Sequence, residues 1–181
     1  MRKSKGFTLF ELVAVMLIAG ILASIGTASF RYVTTSNRIS SEINGLLGDM
    51  QFARSQAVKT GNFVTVCPIT LANPTTCGNS TWTNGWIVFL DLNGNGTFDA
   101  STDLIIRRQK SISPDTLASS STSFTNIIFN REGYGSNGVN TWATINLNSN
   151  PVNAQWRRCL AVSAVGALAV EKSGASTPTT C

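Results

Sequence analysis

The chain has 181 residues, with 14 Lys and Arg against 9 Asp and Glu, a formal net charge of +5. Three of the positive charges, Arg2, Lys3 and Lys5, precede Gly6; without them 11 basic residues face 9 acidic ones, a net of +2. Total charge is therefore no argument for nucleic-acid binding. The absence of histidine excludes Ser-His-Asp and Cys-His nucleophiles, histidine-ligated zinc and histidine acid–base chemistry. The length suits one domain of ordinary size plus an anchor.

The first element in the chain is apolar. A basic head ends at Gly6, and the run Leu12–Phe30 carries no charge. That run is long enough for one spanning helix, and the basic head favours retention on the cytoplasmic side. A secretory signal peptide would have a shorter apolar core with a small-residue cleavage site after it. Here the plausible cut lies before the core, after Gly6, so the hydrophobic helix would stay on the product. Glu11 sits near the start of the run. A carboxylate in a membrane segment costs roughly 2.5 kcal/mol or more at the bilayer centre, so it asks for a partner charge.

Gly6-Phe7-Thr8-Leu9-Phe10-Glu11-Leu12 resembles the prepilin signature of type IV pilins and type II secretion pseudopilins. The resemblance implies that a prepilin peptidase cleaves after Gly6 and methylates the new N-terminus at Phe7. Glu11 matches the glutamate five residues into the mature chain of that family. A free amine at Phe7 would be a cation in an apolar place, with Glu11 four residues on along the same helix face. A buried ion is tolerated when paired, so Glu11 reads as a register device for subunit docking.

Helical character continues past the apolar run. There is no proline before Pro68. Ile39, Ile43, Leu46, Met50, Ala53 and Ala57 recur at spacings of three and four, one stripe of an amphipathic helix. The pattern predicts a single helix from about Phe7 to Thr60, stopping at Gly61-Asn62. At 1.5 Å per residue it would be roughly 80 Å long. Four segments follow: a leader 1–6, a transmembrane or filament-core helix 7–30, an amphipathic half 31–60 and a β-rich domain 61–181.

Beyond Gly61, strands are expected at Asn62–Cys67, Gly85–Leu92, Leu104–Gln109, Thr125–Asn130, Thr141–Leu147, Arg158–Ala164 and Ala167–Glu171. Turn-rich gaps between them suggest an antiparallel β-domain packed on the helix, an α+β chain overall. Asn73–Asn84 and Ser111–Ser123 read as polar surface loops. The cysteines, Cys67, Cys77, Cys159 and Cys181, are even in number in a chain that looks exported, which favours two disulfides. Of three possible pairings the simplest is local, Cys67–Cys77 with Cys159–Cys181.

Asp91, Asn93 and Asn95, with Gly96 as turn residue, resemble the opening of a calcium loop. The closing acid is missing: Thr102 stands there and Asp103 comes one place late. An Asn-Gly-rich hairpin turn is the favoured reading. No other metal or cofactor is expected. A carboxylate enzyme would need two convergent acids in a pocket, whereas Asp91, Asp99 and Asp103 cluster in one turn.

Trp86, Phe89, Asp91, Asn93, Asn95 and Gly96, together with Leu47–Ala57, are similar to the branch holding H-type pseudopilins and FimT/FimU minor pilins. That resemblance implies the pilin fold and a structural subunit of a type IV pilus. Its expected partners are major and minor pilins or pseudopilins, the prepilin peptidase and the inner-membrane assembly platform. Single-pass residence in the inner membrane, with the globular domain in the periplasm, would precede assembly. The alternatives are an H-type pseudopilin of a type II secretion system and a DNA-binding minor pilin. Some members of the branch take up DNA, through contacts resembling a Gly-Arg-x-Arg element in the last hairpin. The matching place here is Gly166-Ala167-Leu168-Ala169, with both arginines replaced. Arg107, Arg108, Arg157 and Arg158 remain as candidate phosphate contacts, beside Trp142 or Trp156; a solvated surface is the favoured reading.

Overall fold

The computed structural model describes residues 6–71, 75–77, 81–120, 124–136, 142–175 and 181, leaving out the side chains of 25–29. The chain forms two compact units, Met1–Asn37 and Arg38–Cys181. The basic head before Gly6 and the first residue of the strand expected at Thr141 lie outside the described residues.

Helix α1 (Leu9–Thr60) contributes to both units. In the first unit its apolar side chains face outward: Leu9 and Phe10 are more than 80% exposed, and Leu17, Ile18 and Leu22 are also exposed. Among the described residues no helix is long and apolar enough to cross a membrane. The predicted spanning segment 7–30 includes side chains 25–29, which are outside that set.

In the second unit the helix is one-sided. Ile39, Leu46, Met50, Ala53 and Ala57 have no exposed surface and Ile43 has almost none, so the stripe of three- and four-residue spacings is the buried face. Each fully buried Ile, Leu or Met contributes about 1.5–3 kcal/mol by leaving water. The helix ends where Gly61 turns to φ +72° and its amide still reaches the Ala57 carbonyl at 2.9 Å. A left-handed glycine just past the last turn is a common helix stop.

Two antiparallel sheets complete this unit. One joins β1 (Phe63–Pro68), β2 (Gly85–Asp91), β3 (Leu104–Lys110), β5 (Ile127–Phe129) and β6 (Gly135–Ser136) in the order β3-β2-β1-β5-β6. The other joins β4 (Thr116–Ser119), β7 (Ala143–Asn148), β8 (Arg158–Val162) and β9 (Leu168–Lys172) in the order β4-β7-β8-β9. Period-two alternation sorts side chains between the faces of the first sheet. Val64, Val66, Trp86 and Val88 join the helix stripe, Leu117, Ile145, Leu147, Leu160 and Val162 in the main core. Cys67, Ile87 and Phe89 form a smaller cluster with Ile69, against which Cys77, Phe98 and Ile105 pack.

The seven expected strands are present, with ends shifted by up to two residues. Ser111–Ser123 differs from expectation: it contains strand β4, which pairs Thr116–Ser119 with Asn148–Ile145 of β7. The amide of Trp82 donates to the Leu117 carbonyl at 2.8 Å, and Leu117 is buried. A single buried leucine among Ser, Thr and Pro carries too little periodicity to announce a strand; its partners make it one. The two-residue β6 and the 3-10 turn Ala154–Trp156 are further additions.

Both local disulfides form. Cys67–Cys77 has a Cα–Cα distance of 5.5 Å and Cys159–Cys181 one of 5.7 Å. The second fastens the chain end to β8, where the Cys181 amide also donates to the Ala175 carbonyl at 3.1 Å.

Candidate functional site

Thr8 begins the helix as its N-cap. Its hydroxyl accepts from the Glu11 amide at 3.3 Å and faces Glu11 Oε2 at 3.5 Å, and its carbonyl takes the Leu12 amide at 3.2 Å. Thr-x-x-Glu is the capping-box spacing, in which the side chains replace hydrogen bonds that the first turn lacks. The negative Glu11 also lies at the positive end of the helix dipole. The sequence shows Glu11 as a docking charge near a helix N-terminus; the cap, legible in Thr8-Leu9-Phe10-Glu11, is an additional role. Phe7, 74% exposed, lies beside it.

The turn between β2 and β3 is organised by Asp91, which is fully buried. Its Oδ1 accepts from the amides of Gly94 at 2.7 Å and Asn95 at 3.2 Å. Its Oδ2 accepts from the Gly96 amide and the Thr65 hydroxyl, both at 2.8 Å. Asn93 accepts from the Asn95 amide and Asn95 from Thr97. The carboxylate and both amide oxygens thus accept hydrogen bonds from the loop and from Thr65 of β1, which is turn chemistry. Among the described residues no group of three or more acidic or cysteine side chains is placed to hold a metal ion. Ser101 holds the Asp99 carboxyl below its usual range through its hydroxyl and amide.

The candidate phosphate contacts are divided between the sheets. Arg107 and Arg108 lie on β3, an edge of the first sheet; Arg158 lies on β8, inside the second. Arg107 is bound to Asp49 of the helix at 2.7 Å and its guanidinium lies 3.9 Å from the centre of the Phe52 ring. The other oxygen of Asp49 accepts from the Trp86 indole at 2.9 Å. Arg107 thus helps fix the helix to β2 and β3, a role its sequence position did not reveal. Arg157 donates to Asn148, and Arg158 to the carbonyls of Gln155 and Arg157. Two arginines on one strand point to opposite faces, so Arg107 and Arg108 do not make one patch. Trp156 is only partly buried beside the core and Trp142 is partly exposed.

Gly166, the glycine matched to the DNA-contacting hairpin, has a packing role. It adopts φ +74°, and a Cβ there would come within 2.1 Å of the Gly133 carbonyl oxygen. Arg54 of the helix donates to that carbonyl at 2.9 Å. Around this junction Gln51, Arg54, Val58, Lys59, Glu132 and Leu168 line an open groove of about 570 Å³. It presents two cations, one anion and an apolar floor.

A further charge cluster, built on the buried Asp115, lies where the second unit begins. Arg38 grips Asp115 with both arms of its guanidinium, Nε to Oδ2 at 2.6 Å and Nη2 to Oδ1 at 2.8 Å. The Asp115 side chain has no exposed surface, and its Oδ1 also takes the Asn150 amide at 2.9 Å. That hydrogen bonding, more than charge alone, raises the Arg38 pKa. Glu42, one turn along the helix, is pushed up to about 7, first by burial and then by the neighbouring Asp115, with Arg38 opposing. Arg38 and Glu42 are legible as a helical i, i+4 pair; Asp115, 77 residues from Arg38, is not.

Comparison with known proteins gives this geometry a context. A family model described as type II transport protein GspH matches residues 42–166. A prokaryotic N-terminal methylation motif matches residues 1–27. Two crystal forms of the Pseudomonas aeruginosa (strain PAO1) type IV minor pilin FimU share the fold at 19% identity. One has a TM-score of 0.60 and covers 80% of this chain and 96% of its own; the other has 0.55, with 79% and 98%. No curated protein sequence matches the chain. The fold is that of a pilin, and the match over more than half of the chain makes this protein a member of the type II transport protein GspH family.

Proposed function

We propose that this chain is a minor pilin of a type IV pilus, a structural subunit without chemistry of its own. The observation that carries the reading is the contrast within α1: apolar side chains exposed between Leu9 and Leu22 and at Phe30 and Val33, against a buried stripe from Ile39 to Ala57 in the disulfide-fastened second unit. An element with that surface is built to be covered by lipid or by other helices. Cleavage after Gly6 would leave an ammonium at Phe7, within one turn of the capped Glu11. Glu11 then joins two tasks, starting its own helix and receiving a cation when subunits meet. The chain would sit in the inner membrane, be processed by the prepilin peptidase, and pass through the assembly platform to other pilins.

The family model's description as a type II transport protein favours a second reading, an H-type pseudopilin of a periplasmic pseudopilus. DNA uptake gains no support from Arg107, Arg157 and Arg158, whose described contacts lie within the fold; Arg108 alone of the four is exposed on β3 without such a contact among the described ones.

The test is direct. The protein recovered from cells should begin at Phe7 and carry one methyl group by mass spectrometry. Glu11→Val should leave cleavage and membrane residence unchanged while removing the protein from sheared filaments. An intact Met1, or normal incorporation of the variant, sinks the reading. Deletion of the gene separates the two systems: loss of surface pili supports the first reading, and loss of an exported enzyme with pili intact supports the second.

A further inference from the structure

We propose that Arg38, Glu42 and Asp115 form a proton-dependent clasp that fastens the β3–β4 connection to helix α1. The inference does not depend on which filament the chain serves.

The geometry begins with a charge imbalance. Asp115 is buried and paired with one cation, Arg38, through two short hydrogen bonds, and it also takes the Asn150 amide. Glu42, one turn along the helix from Arg38, brings a second carboxyl group close enough for Asp115 to oppose its ionisation. Its Oε2 is buried and has no hydrogen-bond partner among the described residues. Two carboxylates cannot bond each other unless one holds a proton. One guanidinium beside two carboxyls is electrically balanced only when the pair carries a single negative charge. The state that suits the site is Arg38 cationic, Asp115 anionic and Glu42 neutral, with the Glu42 proton given to an Asp115 oxygen.

Among the described residues no second cation acts on Glu42. The charged groups acting on Glu42 are Arg38 from its own helix and Asp115 from the β3–β4 connection. The β7–β8 connection, packed on Asp115, offers the neutral Asn150 amide, while its Arg157 is directed to Asn148. Loss of the Glu42 proton therefore leaves two adjacent carboxylates sharing one guanidinium, and the added repulsion falls on the contact that holds Asp115 to the helix. Asp115 immediately precedes β4, an edge strand of the second sheet. The clasp sets how tightly that edge is held, and proton concentration sets the clasp.

The sign follows from the two states of the chain. Folded Glu42 titrates at about 7 and an unperturbed glutamate at 4.5. The stability contributed by the bound proton is complete below the unfolded value. It falls as pH rises toward 7, where the folded form also lets the proton go.

The experiment is amide hydrogen exchange on the full chain in detergent micelles, corrected for the intrinsic pH dependence of exchange. Wild type is compared with Glu42→Gln, which mimics the protonated acid and keeps its shape. In wild type, protection of the amides of Asp115, Thr116, Leu117 and Asn150 should fall several-fold as pH rises from about 4.5 through 7. Val66 and Val88, in the first sheet, should stay level as internal references. In Glu42→Gln the clasp amides should remain protected across the same range. Carbon-13 shifts of the Glu42 carboxyl in wild type give a second readout, with a midpoint near 7. Parallel behaviour of the two proteins, a loss shared equally by Val66 and Val88, or a midpoint in the ordinary glutamate range would overturn the clasp.

Discussion

Helix α1 meets two fates along its length. Between Leu9 and Leu22 its leucines, isoleucines and valines are exposed; from Ile39 to Ala57 the apolar stripe is sealed against two sheets. The helix-forming tendency is shared, but the source of stability is not. The second stretch has its partners encoded in the same chain, as β1, β2, β5, β7 and β8. The first is apolar on all sides, a pattern that asks for cover from outside. A helix can thus be half a domain core and half a ligand for its surroundings, and the change falls where the side-chain pattern turns from all-round to one-sided.

The largest expected effect probes that difference with one substitution made twice. Leu46→Ala should destabilise the folded unit by about 2–5 kcal/mol, the usual range for emptying a buried leucine site. Leu17→Ala, at a 63% exposed position, should change the same unfolding transition by less than about 0.5 kcal/mol. Denaturant titration of the full chain in micelles, followed by tryptophan fluorescence, reads both. Equal losses would mean that the two halves share one core, and the comparison would fail.

The second region also uses covalent fastening. Cys159–Cys181 closes 22 residues, a loop for which the chain-entropy model gives about 3 kcal/mol. Cys159→Ser with Cys181→Ser should lower the stability of the folded unit by about that amount, and β9 amides should lose protection first. A variant as stable as wild type would show that the disulfide adds nothing to the hydrogen bonds made at Gly174 and Ala175.

How far these features were legible depends on the distance over which they are made. The stripe from Ile39 to Ala57 was readable because helical geometry converts spacing directly into a face. The alternating strands β1 and β2 were readable for the same reason. Strand β4 was not, since Leu117 is its one buried residue and its strand character comes from β7 and from Trp82 and Thr83. The Asp91 turn was readable as chemistry, because its ligands are backbone amides three to five residues on. The pairing of Arg107 with Asp49 was not readable, because Asp49 lies 58 residues away in the chain. The charge cluster at Asp115 was hidden by the same kind of separation. Local patterns survive in a sequence; pairings across the fold do not.

The smallest expected effect lies at the exposed end of the first region, where stability is wholly local. Removal of the cap in Thr8→Ala should cost about 1 kcal/mol of helix-end stability. The global transition should not move, because no core residue depends on that turn. Amide exchange at Phe10, Glu11 and Leu12 should rise, since Thr8 supplies both the hydroxyl at the Glu11 amide and the carbonyl at the Leu12 amide in the first turn. Thr8→Ser keeps the hydroxyl and should restore protection. If alanine leaves those amides unchanged, the capping box contributes nothing and Glu11 serves docking alone. If exchange rises while filament incorporation persists, the two tasks of Glu11 are separable, and the charge it offers to a neighbouring subunit does not require a capped helix.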